Sequence, residues 1–187
     1  MSIPIYRCSP DIGTCLCQGE ILSGVIRYPL DLTTIGDPEP TAKKVDHPFA
    51  LVLTQACDLT QDFIARQNNQ PHQLPDVLFC QLPTASELKT PELNSKIWDR
   101  VKKNKDERYH FLEMIQPDSD RAGLGLPELG VDFKRYFTIP TVEVYRWLDL
   151  GITRRRSVIC TPYLEHLSSR FAYFLSRVGL PHDHTSE

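Results

Sequence analysis

The chain has 187 residues, of which 41% are hydrophobic and 24% are charged, and its formal net charge is −3. This length and composition predict one globular domain with a sizeable core, and we assign residues 1–187 to it. The slightly negative charge excludes a protein-wide attraction to nucleic acid or membrane, so any nucleic-acid site would be a local basic patch.

The sequence also predicts the compartment. It has no run of about 18 apolar residues, which a membrane-spanning helix requires, and residues 1–8 lack the apolar core of a signal peptide. We therefore expect a cytoplasmic protein without a membrane partner. Six cysteines in that compartment are more typical of thiols or metal ligands than of disulfides.

The first half of the chain predicts strands joined by long polar connections. Runs of apolar and β-branched residues predict strands at 21–28, 49–55 and 76–82. Residues 30–47 are expected to form a long loop. Asp58 is expected to cap a short helix that runs through residues 59–64.

The second half predicts two principal helices among further strands. Thr84 and Glu87 form a capping-box pattern, and Thr90 followed by Pro91 predicts the start of a helix that ends near Lys105. The clearest helix covers 161–179, with Thr161 at its cap, and a polar tail follows at 180–187. Strands are predicted at 108–115, 131–133, 136–139 and 157–160, with the middle two as a bent pair, and 142–148 fits either a strand or a short helix.

Together these elements predict an α+β fold. The strands outnumber the helices, and the connections between strands are not uniformly helical. We therefore expect a compact antiparallel sheet or barrel over about residues 18–160, with one inserted helix and one helix at the carboxyl end.

The main candidate site is the polar carboxyl end of the strand 49–55. Thr54, Gln55, Cys57 and Asp58 follow the apolar run at once. A rigid strand that ends in a polar turn is typical of positions that hold reactive or ligand-binding side chains.

Two interpretations of this segment stay open. In the first, Cys57 is a reactive thiolate near a helix start, and His47 or His110 serves as its base. In the second, Asp58 caps the helix, Cys57 is a small buried residue, and the neighbouring polar side chains satisfy backbone groups.

A metal site is the next candidate. Cys8, Cys15 and Cys17 lie close together in the sequence, and His72 or His110 would complete a ligand set. Structural zinc usually takes ligand pairs with a spacer of two to four residues, and the spacer between Cys15 and Cys17 is shorter. We therefore expect no metal and no other cofactor, and these three cysteines are the ligands if a metal is bound.

Two groups of basic residues are candidates for binding phosphate: Lys102, Lys103, Lys105 and Arg108, and Arg154, Arg155 and Arg156. On a shared face they would form a phosphate-binding patch, with Tyr109 available for stacking. The alternative, which the negative net charge favours, is a solvated helix end and a charged edge strand.

The opening of the chain resembles the PemK/MazF-like toxins, which are small SH3-like barrels. The resemblance is carried by Gln18-Gly19-Glu20-Ile21, a long loop, and then His47-Pro48 with the apolar strand that ends at Thr54. In that family a Gly-Asp-Ile start precedes an Arg-Pro pair and a strand that ends in Ser or Thr, and the nuclease members use that Arg and that hydroxyl to cleave RNA. The resemblance extends to the third predicted strand.

The resemblance implies an SH3-like barrel more than it implies a nuclease. His47 stands at the position of the Arg, and an imidazole cannot supply the permanent bidentate charge of a guanidinium. We therefore predict a non-catalytic binding or accessory module of a bacterial multi-protein system, with another protein as its first expected partner and RNA as its second. The alternatives are a metal-independent endoribonuclease that uses Thr54 with His47 or His110, and a thiol or zinc site centred on Cys57.

Overall fold

The computed structural model describes residues 3–90 and 93–177. Within these residues the fold is α+β, as predicted. The strands are β1 Tyr6–Cys8, β2 Glu20–Arg27, β3 Val45–Val52, β4 Asp76–Gln81, β5 Tyr109–Leu112, β6 Leu129–Asp132, β7 Tyr136–Pro140 and β8 Arg154–Ile159. The α-helices are α1 Ala56–Gln67, α2 Ala85–Leu88, α3 Ser95–Lys102, α4 Thr141–Asp149 and α5 Tyr163–Leu175.

Six of the strands form one antiparallel sheet in the order β1-β8-β2-β3-β4-β7, and β5 and β6 form a separate two-stranded ribbon. The predicted antiparallel sheet is confirmed, whereas the barrel given as its other form is not found in the described residues, since the sheet ends at β1 and β7 without joining them. The prediction that 131–133 and 136–139 form one bent strand pair is also wrong, because these two strands pair with different partners. β6 pairs with β5, as Tyr109 faces Asp132, whereas β7 pairs with β4, as Phe79 faces Phe137.

The large sheet buries both of its faces. Leu51 packs into a cluster with α5 and the ribbon, while Ala50 and Val52 pack on the opposite face with α1 and α4. All three side chains are 0% exposed. This explains why the second half of β3, from Phe49 onward, is a continuous apolar run, since a segment covered on both faces needs apolar side chains at every position.

Several helix starts differ from the predictions. The helix α1 begins at Ala56, before Asp58, and Asp58 lies in its first turn instead of capping it. The side chain of Asn94 caps α3 by accepting from the Ile97 N–H at 3.1 Å. Thr90 therefore does not cap this helix, and Pro91 lies outside the described residues.

Other predictions on helices are confirmed or resolved. The capping box of Thr84 and Glu87 is present at the start of α2. The ambiguous segment 142–148 is helical, within α4. The last helix begins at Tyr163, and the Thr161 hydroxyl donates to Glu165 and does not cap the backbone. It ends at Leu175, before the predicted end at 179, and the predicted tail 180–187 lies outside the described residues.

No helix within residues 3–90 and 93–177 is both long enough and apolar enough to cross a bilayer.

Candidate functional site

A cleft of about 470 Å³ lies between α5 and the edge of the sheet where β3 ends and β4 begins. We call it the α5 groove. Its apolar wall is formed mainly by Leu53, Leu78, Leu164, Leu167, Phe171 and Leu175. Its polar groups are Gln18, Thr54, Gln55, Asp58, Asp76 and Ser168. The strand end singled out by the sequence is therefore one side of this groove.

The spacing of apolar residues along α5 explains why the helix forms one wall. Leu164, Leu167, Phe171 and Leu175 recur at intervals of three or four residues, so they lie on one stripe. Leu167 is 1% exposed and anchors the helix in the core, whereas Leu175 is 54% exposed. The apolar stripe therefore passes from the core into solvent within the groove.

Gly19 lets α5 approach the sheet closely. A Cβ atom at this position would lie 2.6 Å from the Leu164 Cδ1 atom, and the glycine has a φ of +75°. Gln18 adds a polar link, because its Nε2 atom donates to the Leu53 carbonyl at 3.4 Å and to the Ser168 hydroxyl at 3.3 Å. The segment before β2 thus fixes the position of the groove's helical wall.

Thr54 has a structural partner. Its hydroxyl oxygen accepts from the Leu78 N–H at 2.7 Å, and the residue is buried. This bond continues the β3–β4 ladder past the last strand residue, as the structural interpretation of this segment predicted.

The rim of the groove is acidic. Gln55, Asp58 and Asp76 are exposed, and the lining within the described residues includes no Lys or Arg. Asp58 lies in the first turn of α1, where the helix dipole stabilises a carboxylate. The groove therefore combines an apolar wall with two solvent-facing negative charges.

Cys57 is exposed and lies outside the groove lining. Its Sγ atom is 3.7 Å from Gln55 Oε1 and 3.6 Å from Asp58 Oδ1, both of which are long contacts. The expectation that Cys57 is a small buried residue is wrong, because the side chain sits on the solvent side of the first turn of α1.

His47 lies far from Thr54. It is buried in the body of β3, opposite Val25, and it precedes Thr54 by seven residues. Extended chain spans about 3.3 Å per residue, so the two side chains are roughly 20 Å apart. The His47 ring stacks on Phe137 at a centroid distance of 4.3 Å, and neither ring nitrogen has a hydrogen-bond partner among the described residues. Burial, followed by the charge of Arg27, lowers the pKa of His47.

His110 is held in one protonation state. Its Nδ1 atom lies 3.0 Å from Arg170 Nη1, and because a guanidinium only donates, Nδ1 accepts and the ring proton sits on Nε2. Burial, then the charges of Arg170 and His166, lower the pKa of His110 to about 3. The ring is therefore neutral near pH 7, and its lone pair is already occupied.

The structure does not bring the predicted catalytic residues together. His110 lines a small cavity with Tyr6 and Tyr163, and among residues 3–90 and 93–177 this cavity shares no lining residue with the α5 groove. Of the four residues Thr54, His47, Cys57 and His110, only Thr54 lines the groove.

The cysteines of the amino-terminal segment do not converge on one point. Cys15 and Cys17 line a separate cavity that also contains Cys160, and burial raises the pKa of both thiols. Cys8 is exposed, and its Sγ atom contacts the Asp118 carbonyl at 3.1 Å. Among residues 3–90 and 93–177, no three His, Cys, Asp or Glu side chains form a group that could hold a metal ion.

Two of the predicted phosphate-binding arginines are buried in ion pairs. Arg155 donates to both carboxylate oxygens of Glu20, at 2.6 and 2.8 Å, and Arg156 donates to both oxygens of Asp120, at 2.7 Å each. The expectation of a patch is wrong for both residues, because their donors are already used inside the protein. Arg154 is exposed on the same strand.

The other basic group is also divided. Lys102 pairs with Asp99 at 3.2 Å on the surface of α3, and Lys103 is exposed at the end of that helix. Arg108 lies on the ribbon, where it donates to Asp132 at 2.6 and 2.7 Å. Lys102 also lines the cavity of His110, and Arg108 lines the cavity between the large sheet and the ribbon that is described below.

The sequence matches no protein-family model, and no significant match was found among curated proteins. The resemblance to PemK/MazF-like toxins therefore stays a prediction.

Proposed function

We propose that the chain is a non-catalytic binding module, and that the α5 groove binds a segment of a protein partner that carries Lys or Arg beside apolar side chains. One observation carries this proposal: an apolar cleft has two exposed carboxylates at its rim and no cation in its described lining. The partner's charge is inferred from this complementarity.

The apolar wall would supply most of the affinity. A volume of about 470 Å³ falls within the usual range of ligand pockets. Burying one large apolar side chain contributes about 1.5–3 kcal/mol. Phe171 and Leu175, one helical turn apart, are the residues against which such side chains would pack.

The carboxylates would supply orientation and selectivity. Exposed charge pairs contribute little free energy each, but complementary charges raise the association rate and exclude wrong partners. Asp58 lies on α1 and Asp76 at the start of β4, so a basic side chain between them would fix the direction of the bound segment.

A displayed library of random peptides tests this proposal with a defined probe. The peptides selected by the immobilised chain should contain apolar residues together with Lys or Arg. Ala172 is exposed in the groove wall, so Ala172→Trp should fill the cleft and abolish capture without unfolding the protein. Selection of peptides without basic residues, or equal capture by Ala172→Trp, would overturn the proposal.

The endoribonuclease is the alternative prediction, and it is tested separately by RNA cleavage in the presence of EDTA. The geometry favours it less, because the Thr54 hydroxyl is bonded to the Leu78 N–H and His47 lies on a distant part of β3. The thiol or zinc site centred on Cys57 is favoured least, since its contacts are long. We place the module in the cytoplasm, in keeping with its six free thiols.

A further inference from the structure

A further cavity, of about 360 Å³, lies where the large sheet meets the β5–β6 ribbon. Phe49 and Arg135 line it from the side of the large sheet, and Arg108, Tyr109 and Asp132 line it from the side of the ribbon. In the described part of the chain, the cavity shares no lining residue with the α5 groove. Its function is therefore independent of the function proposed above.

A buried carboxylate organises this cavity. Asp132 is 2% exposed and accepts from Arg108 Nε at 2.7 Å, from Arg108 Nη2 at 2.6 Å and from the Lys134 backbone N–H at 3.1 Å. The Nε atom of Arg135 lies 3.5 Å from the same carboxylate. One buried acid thus holds two guanidinium groups beside one cavity.

Both guanidinium groups keep donors for a ligand. Arg108 donates to Asp132 through Nε and Nη2, so its Nη1 atom keeps its N–H donors. Arg135 makes a single long contact with Asp132, through Nε. The lining also contains the carboxylate of Glu87, whose Oε2 atom accepts from the backbone N–H and hydroxyl of Thr84 in the capping box. The two described acids balance the two guanidinium charges, so the remaining N–H donors of the arginines, and not a net positive charge, would bind a ligand.

The backbone around the cavity is fixed by hydrogen bonds at the turn that leads from β6 into β7 and at the residue before β5. The Arg135 carbonyl accepts from the Gln81 N–H at 3.0 Å, and the Arg135 N–H donates to the Asp132 carbonyl at 2.8 Å. The Arg108 carbonyl accepts from the Phe133 N–H at 3.0 Å. This backbone fixes the points from which the two arginine side chains extend, and the Arg108 guanidinium is held further by its two bonds to Asp132.

We propose that this cavity binds a small organic oxyanion, a phosphate monoester or a carboxylate. Its acidic group would accept from Arg108 and Arg135, and its apolar part would pack on Phe49 and Tyr109. Both aromatic side chains are partly buried at the cavity wall. Arginine suits this role because its planar fork matches the oxygens of carboxylate and phosphate.

The proposal is tested by calorimetric titration of the whole chain with phenyl phosphate, benzoate and inorganic phosphate. Phenyl phosphate or benzoate should bind at one saturable site, about tenfold or more tighter than inorganic phosphate because the ring buries apolar surface. The tighter of the two organic probes identifies the acidic group. Absence of saturable binding by both organic probes would overturn the proposal.

Two matched variants localise the binding. Arg135→Gln should weaken it about tenfold or more through loss of a charge-assisted hydrogen bond. Arg154→Gln removes an exposed arginine elsewhere and should leave it unchanged. The Arg135 side chain is 58% exposed, so its replacement should not unfold the protein. Equal weakening by the two substitutions would show non-specific ion binding and contradict the proposed site.

Discussion

The buried ion pair between Glu20 and Arg155 gives the sharpest prediction on stability. The side chains are 0% and 1% exposed, respectively. Besides the two bonds to Glu20, the guanidinium donates to backbone carbonyls of Asp11, Thr14 and Cys15. The pair therefore fastens the segment before β2 to β8, and that segment contains the residues that position α5.

The substitution Glu20→Gln keeps the shape of the side chain and removes its charge. In the native protein Glu20 Oε2 accepts from the Cys17 N–H at 2.9 Å and from Arg155 Nη2 at 2.8 Å. Gln has one acceptor oxygen, so its amide NH₂, a donor, would face another donor, either a guanidinium N–H or the Cys17 N–H. Breaking a buried pair by removing one partner typically costs about 3–5 kcal/mol. For a domain of this size, a loss of that magnitude lowers the melting temperature by roughly 6–20 °C.

Denaturant and thermal unfolding followed by circular dichroism measure this loss. The matched control is Asp46→Asn, which removes a partner of Lys44 from a surface pair whose side chains are 52% and 63% exposed. The control should unfold at the same midpoint as the wild type. A loss below about 1 kcal/mol for Glu20→Gln would refute the reasoning, because such a loss matches a neutral hydrogen bond and not a buried charge.

Three further substitutions test the local arguments. The pKa of His47 is lowered in the folded state, so as the pH falls below the ordinary histidine pKa of about 6.5 the unfolded chain binds a proton more readily than the folded chain. The free energy of unfolding therefore decreases over this range. His47→Phe removes the titrating group and should make the free energy of unfolding less dependent on pH there. Gly19→Ala should destabilise by about 1 kcal/mol or more in denaturant unfolding, since alanine disfavours the positive φ and its Cβ would meet Leu164. Thr54→Val should cost about 1–3 kcal/mol in the same assay, because it leaves the Leu78 N–H without its acceptor.

Each of these substitutions has an outcome that contradicts its reasoning. An unchanged pH profile for His47→Phe would mean that the buried ring does not resist protonation. A neutral Gly19→Ala would mean that α5 can shift away from the sheet at no cost. Wild-type stability of Thr54→Val, combined with lost RNA cleavage, would favour the nuclease alternative over a structural hydroxyl.

The parts of the fold that follow from local pattern were predictable. The second half of β3 was visible as an apolar run, because both faces of the central sheet are covered there, whereas its first residues, from Val45, were predicted as loop. The capping box at Thr84 and Glu87 was visible because it depends on residues three apart. The assignment of the α4 segment stayed open because a helix this short has too few turns to show a clear repeat of apolar residues. In the structure Thr141, Val144 and Leu148 form its buried face.

The parts that depend on distant partners were not predictable. Arg155 and Arg156 are buried in ion pairs with Glu20 and Asp120, which lie far from them in the sequence. The three consecutive arginines therefore resembled a surface patch, because the sequence does not show these partners. The barrel was expected from the resemblance at the start of the chain, and no local pattern showed that β5 and β6 pair with each other outside the main sheet. Asp76 was read only as the start of a strand, and its place on the groove rim depends on the packing of α5.

The most direct test of the central proposal is the affinity of a library-selected basic peptide for two double variants. Asp58→Lys with Asp76→Lys reverses both charges at the groove rim, and Asp37→Lys with Asp149→Lys makes the same change in net charge at two exposed positions elsewhere. Fluorescence polarisation should show at least about tenfold weaker binding for the groove variant and nearly unchanged binding for the control. Equal affinities for the two variants would contradict an acidic docking groove at α5.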